Sequence, residues 1–205
     1  MTPDEIATSY DQLADHWNSD DFPRSNGIEQ HERAIAFVEQ RGNAIDIGCG
    51  SSGRLIDLLI ESGFSVEGLD ISPRMLVLAK QRHPGVEFHL ADIRNWSFSK
   101  KYDLISAWDS IWHLPMADQE PVLTKILQGL NRGGVCIFTT GGRDAAEEKT
   151  DSAMGPPMYY SVLGIPRTLQ VISENQCVCR HLEYDQHPEQ HVYIIVQCLR
   201  KEGSK

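Results

Sequence analysis

The chain has 205 residues, a hydrophobic fraction of 40%, a charged fraction of 23% and a formal net charge of −10. That length allows one substantial domain, and the composition is that of an ordinary globular protein. The acidic balance argues against a nucleic-acid backbone as the main partner, because phosphate binding needs an excess of lysine and arginine. No apolar run approaches a membrane span, and the acidic start Met1-Thr2-Pro3-Asp4-Glu5 is unlike a signal peptide. Five cysteines without a repeated spacing suggest no disulfide framework, and a reducing cytoplasm is the expected setting.

Taken in order, residues 4–17 carry Ile6, Tyr10, Leu13, Ala14 and Trp17 at helical spacing, and residues 28–40 predict a second helix with Gly42 as its stop. Residues 1–42 are thus expected to form a helical cap, in which Tyr10 and Trp17 can close over a ligand. Ala44-Ile45-Asp46-Ile47 reads as a strand, Gly48-Cys49-Gly50-Ser51-Ser52-Gly53 as a tight turn, and 54–62 as a helix. The glycines permit positive φ and leave no Cβ in a ligand's way. A second strand ends at Asp70-Ile71, and Ser72-Pro73 starts the next helix. Strands follow over 86–91, ending at Asp92, and over 101–108. Asp118 is a candidate cap for the helix after that, and 135–140 reads as a fifth strand. Residues 141–165 carry Gly142, Gly155 and Pro156-Pro157 and predict a long irregular loop; a short helix over 166–175, stopped by a left-handed Asn175, and two strands over 177–184 and 191–199 complete the pattern. The expected whole is a single domain: residues 43–141 as ligand-binding βα units, 142–165 as a lid loop, and 166–200 as a helix and hairpin.

Gly48 to Gly53 is a literal G-x-G-x-x-G, with Asp70 at the distance of a ribose-binding acid, which taken alone fits a nicotinamide or flavin nucleotide. Asp46 weighs against it, since a carboxylate there repels a pyrophosphate but attracts an ammonium. Asp92 lies at the same sheet edge, where it can accept from an exocyclic amine. An α-amino group, a ribose and an adenine would use Asp46, Asp70 and Asp92 in that order, and S-adenosylmethionine has those parts. The bland reading of each acid is a cap on the following helix.

From Gly42 onward the sequence resembles the class I S-adenosylmethionine-dependent methyltransferases, especially small bacterial ones. Residues 44–53 look like the family's first motif, 66–72 its ribose motif, 90–93 its adenine motif, 102–107 its fourth strand, and 130–138 its helix-turn-strand. The resemblance implies a Rossmann-like α/β fold: a seven-stranded, mostly parallel sheet with a C-terminal antiparallel hairpin and helices on both faces. It implies donor binding by Asp46, Gly48, Cys49, Gly50, Asp70, Ile71, Met75, Asp92, Ile93 and Trp108, with Asp92 on the adenine amine and Ile93 offering a backbone N–H. Met75 has core packing as its alternative.

The acceptor is expected beyond the strands' carboxyl ends, near Trp108-Asp109-Ser110-Ile111-Trp112-His113. His113 is the candidate base, with packing beside Pro115 as the alternative. Trp112, Tyr159, Tyr160 and His191 are candidate acceptor contacts, the tyrosines as part of a lid; Arg143 could meet an acidic substrate or simply be solvated. Cys177, Cys179 and His181 alternate on one strand, but three parallel side chains do not converge on a tetrahedral metal, and none is expected. The sequence therefore predicts a cytoplasmic methyltransferase, monomer or homodimer, acting on a small-molecule methyl acceptor without nucleic acid or membrane. The alternatives are a protein side-chain methyltransferase, a nicotinamide-dependent oxidoreductase, or a module that binds the donor without turnover. No tyrosine here has a lysine four residues on, as a Tyr-x-x-x-Lys dehydrogenase pair would require.

Overall fold

The computed structural model describes residues 1–19 and 23–199. The helices are α1 (Pro3–Trp17), α2 (Ile28–Ile35), α3 (Arg54–Glu61), α4 (Pro73–Arg82), α5 (Met116–Gln128) and α6 (Ile165–Glu174). The strands are β1 (Asn43–Ile47), β2 (Ser65–Asp70), β3 (Glu87–Leu90), β4 (Tyr102–Ala107), β5 (Leu130–Gly141), β6 (Glu147–Asp151), β7 (Met158–Val162), β8 (Cys177–Tyr184) and β9 (His191–Cys198). A seven-stranded sheet runs β3-β2-β1-β4-β5-β9-β8. Its first five strands are mutually parallel, and β9 is antiparallel to both β5 and β8. The expected sheet and reversed hairpin are both present.

Alternation along the strands separates two cores. Ile45, Ile47 and Ile105 pack under α5 and α6, with Leu123, Ile126 and Ile172. Ala44 and Leu104 pack the other way, with Ile35 of α2, Leu55 and Leu59 of α3, and Leu76 of α4. By the same period Asp46 and Ser106 face the α2 side, which governs the environment of that acid. No helix among the described residues is long and apolar enough to cross a membrane.

Helix starts follow local chemistry. Thr2 caps α1 in a reciprocal box with Glu5, and Ser72 caps α4 by accepting from the Met75 N–H with Pro73 at the first position. Five expectations need correction. The stretch 28–40 is helical only to Ile35; a turn at Ala36 and Phe37 follows, yet Phe37 and Val38 still pack on the core, so their apolar pattern mimics a longer helix. Helix α5 starts at Met116 with Pro115 at the cap, and Asp118 instead pairs with Arg94 (3.1 Å). Asn175 stays at negative φ, and Gln176 takes the left-handed conformation (φ 57). Residues 141–165 are not a structureless loop, because β6 and β7 form an antiparallel ribbon there. A register shift between Cys179 and His181 breaks the alternation that would have put Cys177, Cys179 and His181 on one face.

Candidate active site

A pocket opens at the carboxyl ends of β1, β2, β3 and β4 and is roofed by α1. Gly48, Cys49, Gly50, Asp70, Ile71, Met75, Asp92, Ile93, Trp108 and His113 line it. Of α1, Pro3, Ile6, Tyr10 and Trp17 reach the same space. The roof is latched at several points: Ser72 Oγ donates to Asp11 Oδ1 (2.5 Å), Ser9 Oγ donates to the Pro157 carbonyl (2.8 Å), and Arg74 pairs with Asp15.

The turn after β1 takes its shape from three left-handed glycines, with φ of 73° at Gly48, 58° at Gly50 and 71° at Gly53. The space where a Gly50 Cβ would stand is open, whereas one at Gly48 would lie 2.3 Å from Ser110 Cβ. Gly50 therefore presents bare backbone to the pocket, and Gly48 lets the turn pack on the residues after β4. Asp70 ties this turn to the next one: the Gly50 N–H donates to Oδ2 and the Ser72 N–H to Oδ1, both at 2.8 Å. Each oxygen keeps a lone pair for a further donor. Burial pushes the Asp70 carboxyl upward, opposed by these backbone bonds.

Asp92 lines the far side of the pocket. Its Oδ1 accepts from the Arg94 N–H (2.8 Å) and its Oδ2 from Arg94 Nε (2.8 Å), so the acid is already charge-paired. Met75 and Ile93 are almost fully buried while facing the pocket, as core and wall at once. Cys49 is buried beside Asp70 and Asp46, which holds its thiol protonated and inert.

Asp46 does not line the pocket. It lies behind the turn on the α2 face, 2% exposed, bonded to Ser106. His31 donates from Nδ1 to the Gly27 carbonyl (2.6 Å), which leaves its Nε2 to accept from Ser106 Oγ (3.0 Å). One hydroxyl proton cannot serve both His31 and Asp46, and a proton on Asp46 resolves the conflict. Burial in fact raises the Asp46 carboxyl from its ordinary value near 3.8 to about 6. The folded chain then holds more protons than the unfolded one between about pH 4 and 6, so this group's contribution lowers stability as pH rises through that window. Asp46→Asn, which cannot ionise, is expected to gain on the wild type by roughly 2–3 kcal/mol from pH 4 to pH 7. Urea unfolding of both proteins across that range checks this, because His31 and His113, each lowered to about 4 by burial, cancel in the difference. A difference that stays flat with pH refutes it.

His113 is held on every side. Its Nδ1 donates to the Tyr159 carbonyl (2.8 Å), and its Nε2 accepts from Tyr10 Oη (2.7 Å) and Trp112 Nε1 (3.1 Å). The ring is neutral, with its lone pair already taken by two donors, so this geometry makes it an anchor for Tyr10 rather than an open base. Trp112, Tyr159, Tyr160 and His191 do not line the pocket. Tyr159 Oη turns away to donate to Glu148 (2.7 Å), while the Tyr160 ring packs on His113 (4.9 Å). Trp112 stacks edge-on to His191 (5.4 Å). Arg143 pairs with Glu147 (3.2 Å), as the solvated alternative supposes. Asp109 and Ser110, inside the stretch where the acceptor is expected but not singled out there, also line the pocket. The rule that singles out Asp70 and Asp92, an acid just past a parallel strand, applies equally to Asp109 after β4.

Comparison with known proteins gives a consistent result. A methyltransferase-domain family model matches residues 44–134. The trans-aconitate 2-methyltransferase of Delftia acidovorans is 28% identical over 197 residues, covering 82% of this chain and 71% of that protein. A putative methyltransferase, 235L, of Invertebrate iridescent virus 6 is 33% identical over 97 residues, covering 43% of this chain but only 36% of the viral protein. The solved DhpI–SAH complex superposes with a TM-score of 0.71 at 18% identity, covering 97% of this chain and 98% of that one. Residues 44–134 thus match a methyltransferase domain, and the whole chain shares its fold with solved S-adenosylmethionine-dependent methyltransferases.

Proposed function

We propose that this chain transfers a methyl group from S-adenosylmethionine to a small-molecule acceptor by in-line displacement. The observation that carries the reading is that one pocket gathers the Gly48–Gly50 backbone, Asp70 and Asp92 under the roof of α1. Asp70 has lone pairs left for the ribose hydroxyls, and Asp92 with the Ile93 N–H faces the place of the adenine. Ile71 and Met75 wall that end, and Trp108 the methyl end. Such a site does its work by holding two reactants in line, and a proton acceptor is needed only for a nucleophile that must lose a proton.

A small acceptor is supported by the roof itself, since α1 lies over the pocket and is latched there through Ser9, Asp11 and Asp15. The name of the Delftia relative points the same way. The nicotinamide alternative is disfavoured by β9, which is inserted antiparallel where the dinucleotide fold continues with parallel strands. Isothermal calorimetry with S-adenosylhomocysteine and with NAD tests the reading. Heat is expected with the first compound and none with the second; the reverse pattern overturns it. A homocysteine response without methyl transfer to any acceptor would leave a binding module.

A further inference from the structure

Asp109 stands just past β4 in a left-handed conformation (φ 50), its N–H donating to Thr139 Oγ1 (2.8 Å). Its side chain lines the pocket and is 31% exposed. His191 Nε2 donates to Asp109 Oδ1 (2.9 Å), and His191 Nδ1 donates to Asp185 Oδ1 (2.5 Å). Asp185 Oδ2 in turn accepts from Gln30 Nε2 (2.8 Å). A ring with a carboxylate at each nitrogen donates at both, so the three side chains form a clamped acid–imidazolium–acid row. Trp108 and Trp112 pack on the His191 ring (5.6 and 5.4 Å) and fix its plane.

The charge of the pocket is one-sided. Asp70, Asp92 and Asp109 line it, and Arg54 is the one arginine or lysine among its described lining residues. Arg54 is engaged, donating from Nε to the Asn26 carbonyl and from a terminal nitrogen to Ser52 Oγ, both at 2.7 Å. Asp70 and Asp92 belong to the donor's end. Asp109 is left beside Tyr10, His113 and the apolar Ile6, Ile111 and Leu114.

We propose that Asp109 contacts the acceptor, that the acceptor is an uncharged primary or secondary amine on an apolar body, and that His191 and Asp185 position the Asp109 carboxylate; this rests on the methyltransferase reading above. The amine's N–H donates to Asp109, which points its lone pair at the methyl carbon. The new N–C bond forms as the donor's C–S bond breaks, and the electron pair of that bond stays on sulfur. Positive charge therefore passes from sulfur to the acceptor nitrogen, with no proton moved in the same step. A fixed carboxylate beside that nitrogen stabilises charge that appears only as the bond forms. An acidic acceptor would meet Asp109 with like charge, while the His191 imidazolium is held between two carboxylates and Arg54 is engaged by Asn26 and Ser52.

The test uses the full chain, donor labelled in the methyl group, and arylalkyl amines matched with carboxylic acids, phenols and thiols on the same carbon frames. Label is expected in the amines. Asp109→Asn is expected to lower kcat/KM for them by about 100-fold, while calorimetry with S-adenosylhomocysteine gives wild-type affinity. His191→Ala is expected to lower kcat more than it raises the amine KM, with added imidazole restoring part of the rate, a recovery that a purely structural role would not give. Label confined to acids, phenols or thiols overturns the proposal, as does Asp109→Asn working at wild-type rate. Absence of S-adenosylhomocysteine binding by the wild type would remove the methyltransferase reading itself, so the calorimetry separates the two failures.

Discussion

Gly48→Ala is expected to destabilise the protein by about 3 kcal/mol or more and to abolish measurable donor binding. Two costs coincide at this position. Its φ of 73° is one that an L-residue with a Cβ adopts only with strain. The new Cβ would also stand 2.3 Å from Ser110 Cβ, well inside contact distance. Ser110 cannot easily give way, because its Oγ donates to the Ile47 carbonyl (2.8 Å), and that bond ties the end of β1 to the chain after β4. Relief would have to come from the turn itself, which would carry the Gly50 N–H out of the pocket. Gly50→Ala is the control. It shares the left-handed φ (58°) but meets nothing within 4 Å, so it should cost only about 1 kcal/mol in stability. Denaturant unfolding of both variants checks the contrast, and equal losses would show that the packing of Gly48 on Ser110 is not what shapes the turn.

Asp70→Ala is expected to act twice. It removes the acceptor for the Gly50 and Ser72 N–H groups, and leaving buried donors unpaired costs about 1–3 kcal/mol each where water does not reach them. It also removes the charged partner proposed for the ribose, a loss of about 1.5–3 kcal/mol in donor affinity, or roughly 10- to 150-fold. Calorimetry with S-adenosylhomocysteine and a thermal melt read the two effects separately. Asp70→Asn divides them further, because its side-chain oxygen can still accept one of the two backbone bonds. Unchanged donor affinity in a folded Asp70→Ala protein would show the acid to be a brace between the two turns and nothing more.

The fold was legible wherever a local signal was also the tertiary one. Ser72-Pro73, the apolar run 44–47 and the turn 48–53 each specify their element from within a few residues. The pattern failed where distant partners decide. Phe37 and Val38 are apolar because they are core, whichever backbone shape delivers them there. The ribbon of β6 and β7 was hidden among polar residues such as Glu147, Glu148 and Lys149, whose pairing owes more to the neighbouring strand than to a buried face. The meeting of Asp70 and Asp92 in one pocket was legible because they end successive strands. The far end was legible only in part: Tyr10 and the stretch after β4 were expected there, but the partners that hold Asp109 lie as far away as Asp185 and His191. The long spacing also hid the fate of His113, since its partners Tyr10 and Tyr159 lie on elements remote in sequence. Asp46 was read correctly as an acid at the turn and placed wrongly at the pocket. Strand alternation alone, with Ile45 and Ile47 on the opposite face, puts it on the α2 side.

The insertion of β9 between β5 and β8 also bears on how the protein is made. Strand β5 is buried and strongly apolar from Val135 to Phe138, and its partner on that side is a segment more than fifty residues later in the chain. Until residues 191–198 are available, β5 presents unpaired N–H and C=O groups along an apolar edge, the kind of template on which chains associate with one another. A pairing of such long range is also slow to form, because the intervening chain must be closed first. The step most exposed to aggregation is thus the arrival of β9, and the same event brings His191 to Asp109. Yield of soluble protein and the clamp on Asp109 depend on one strand.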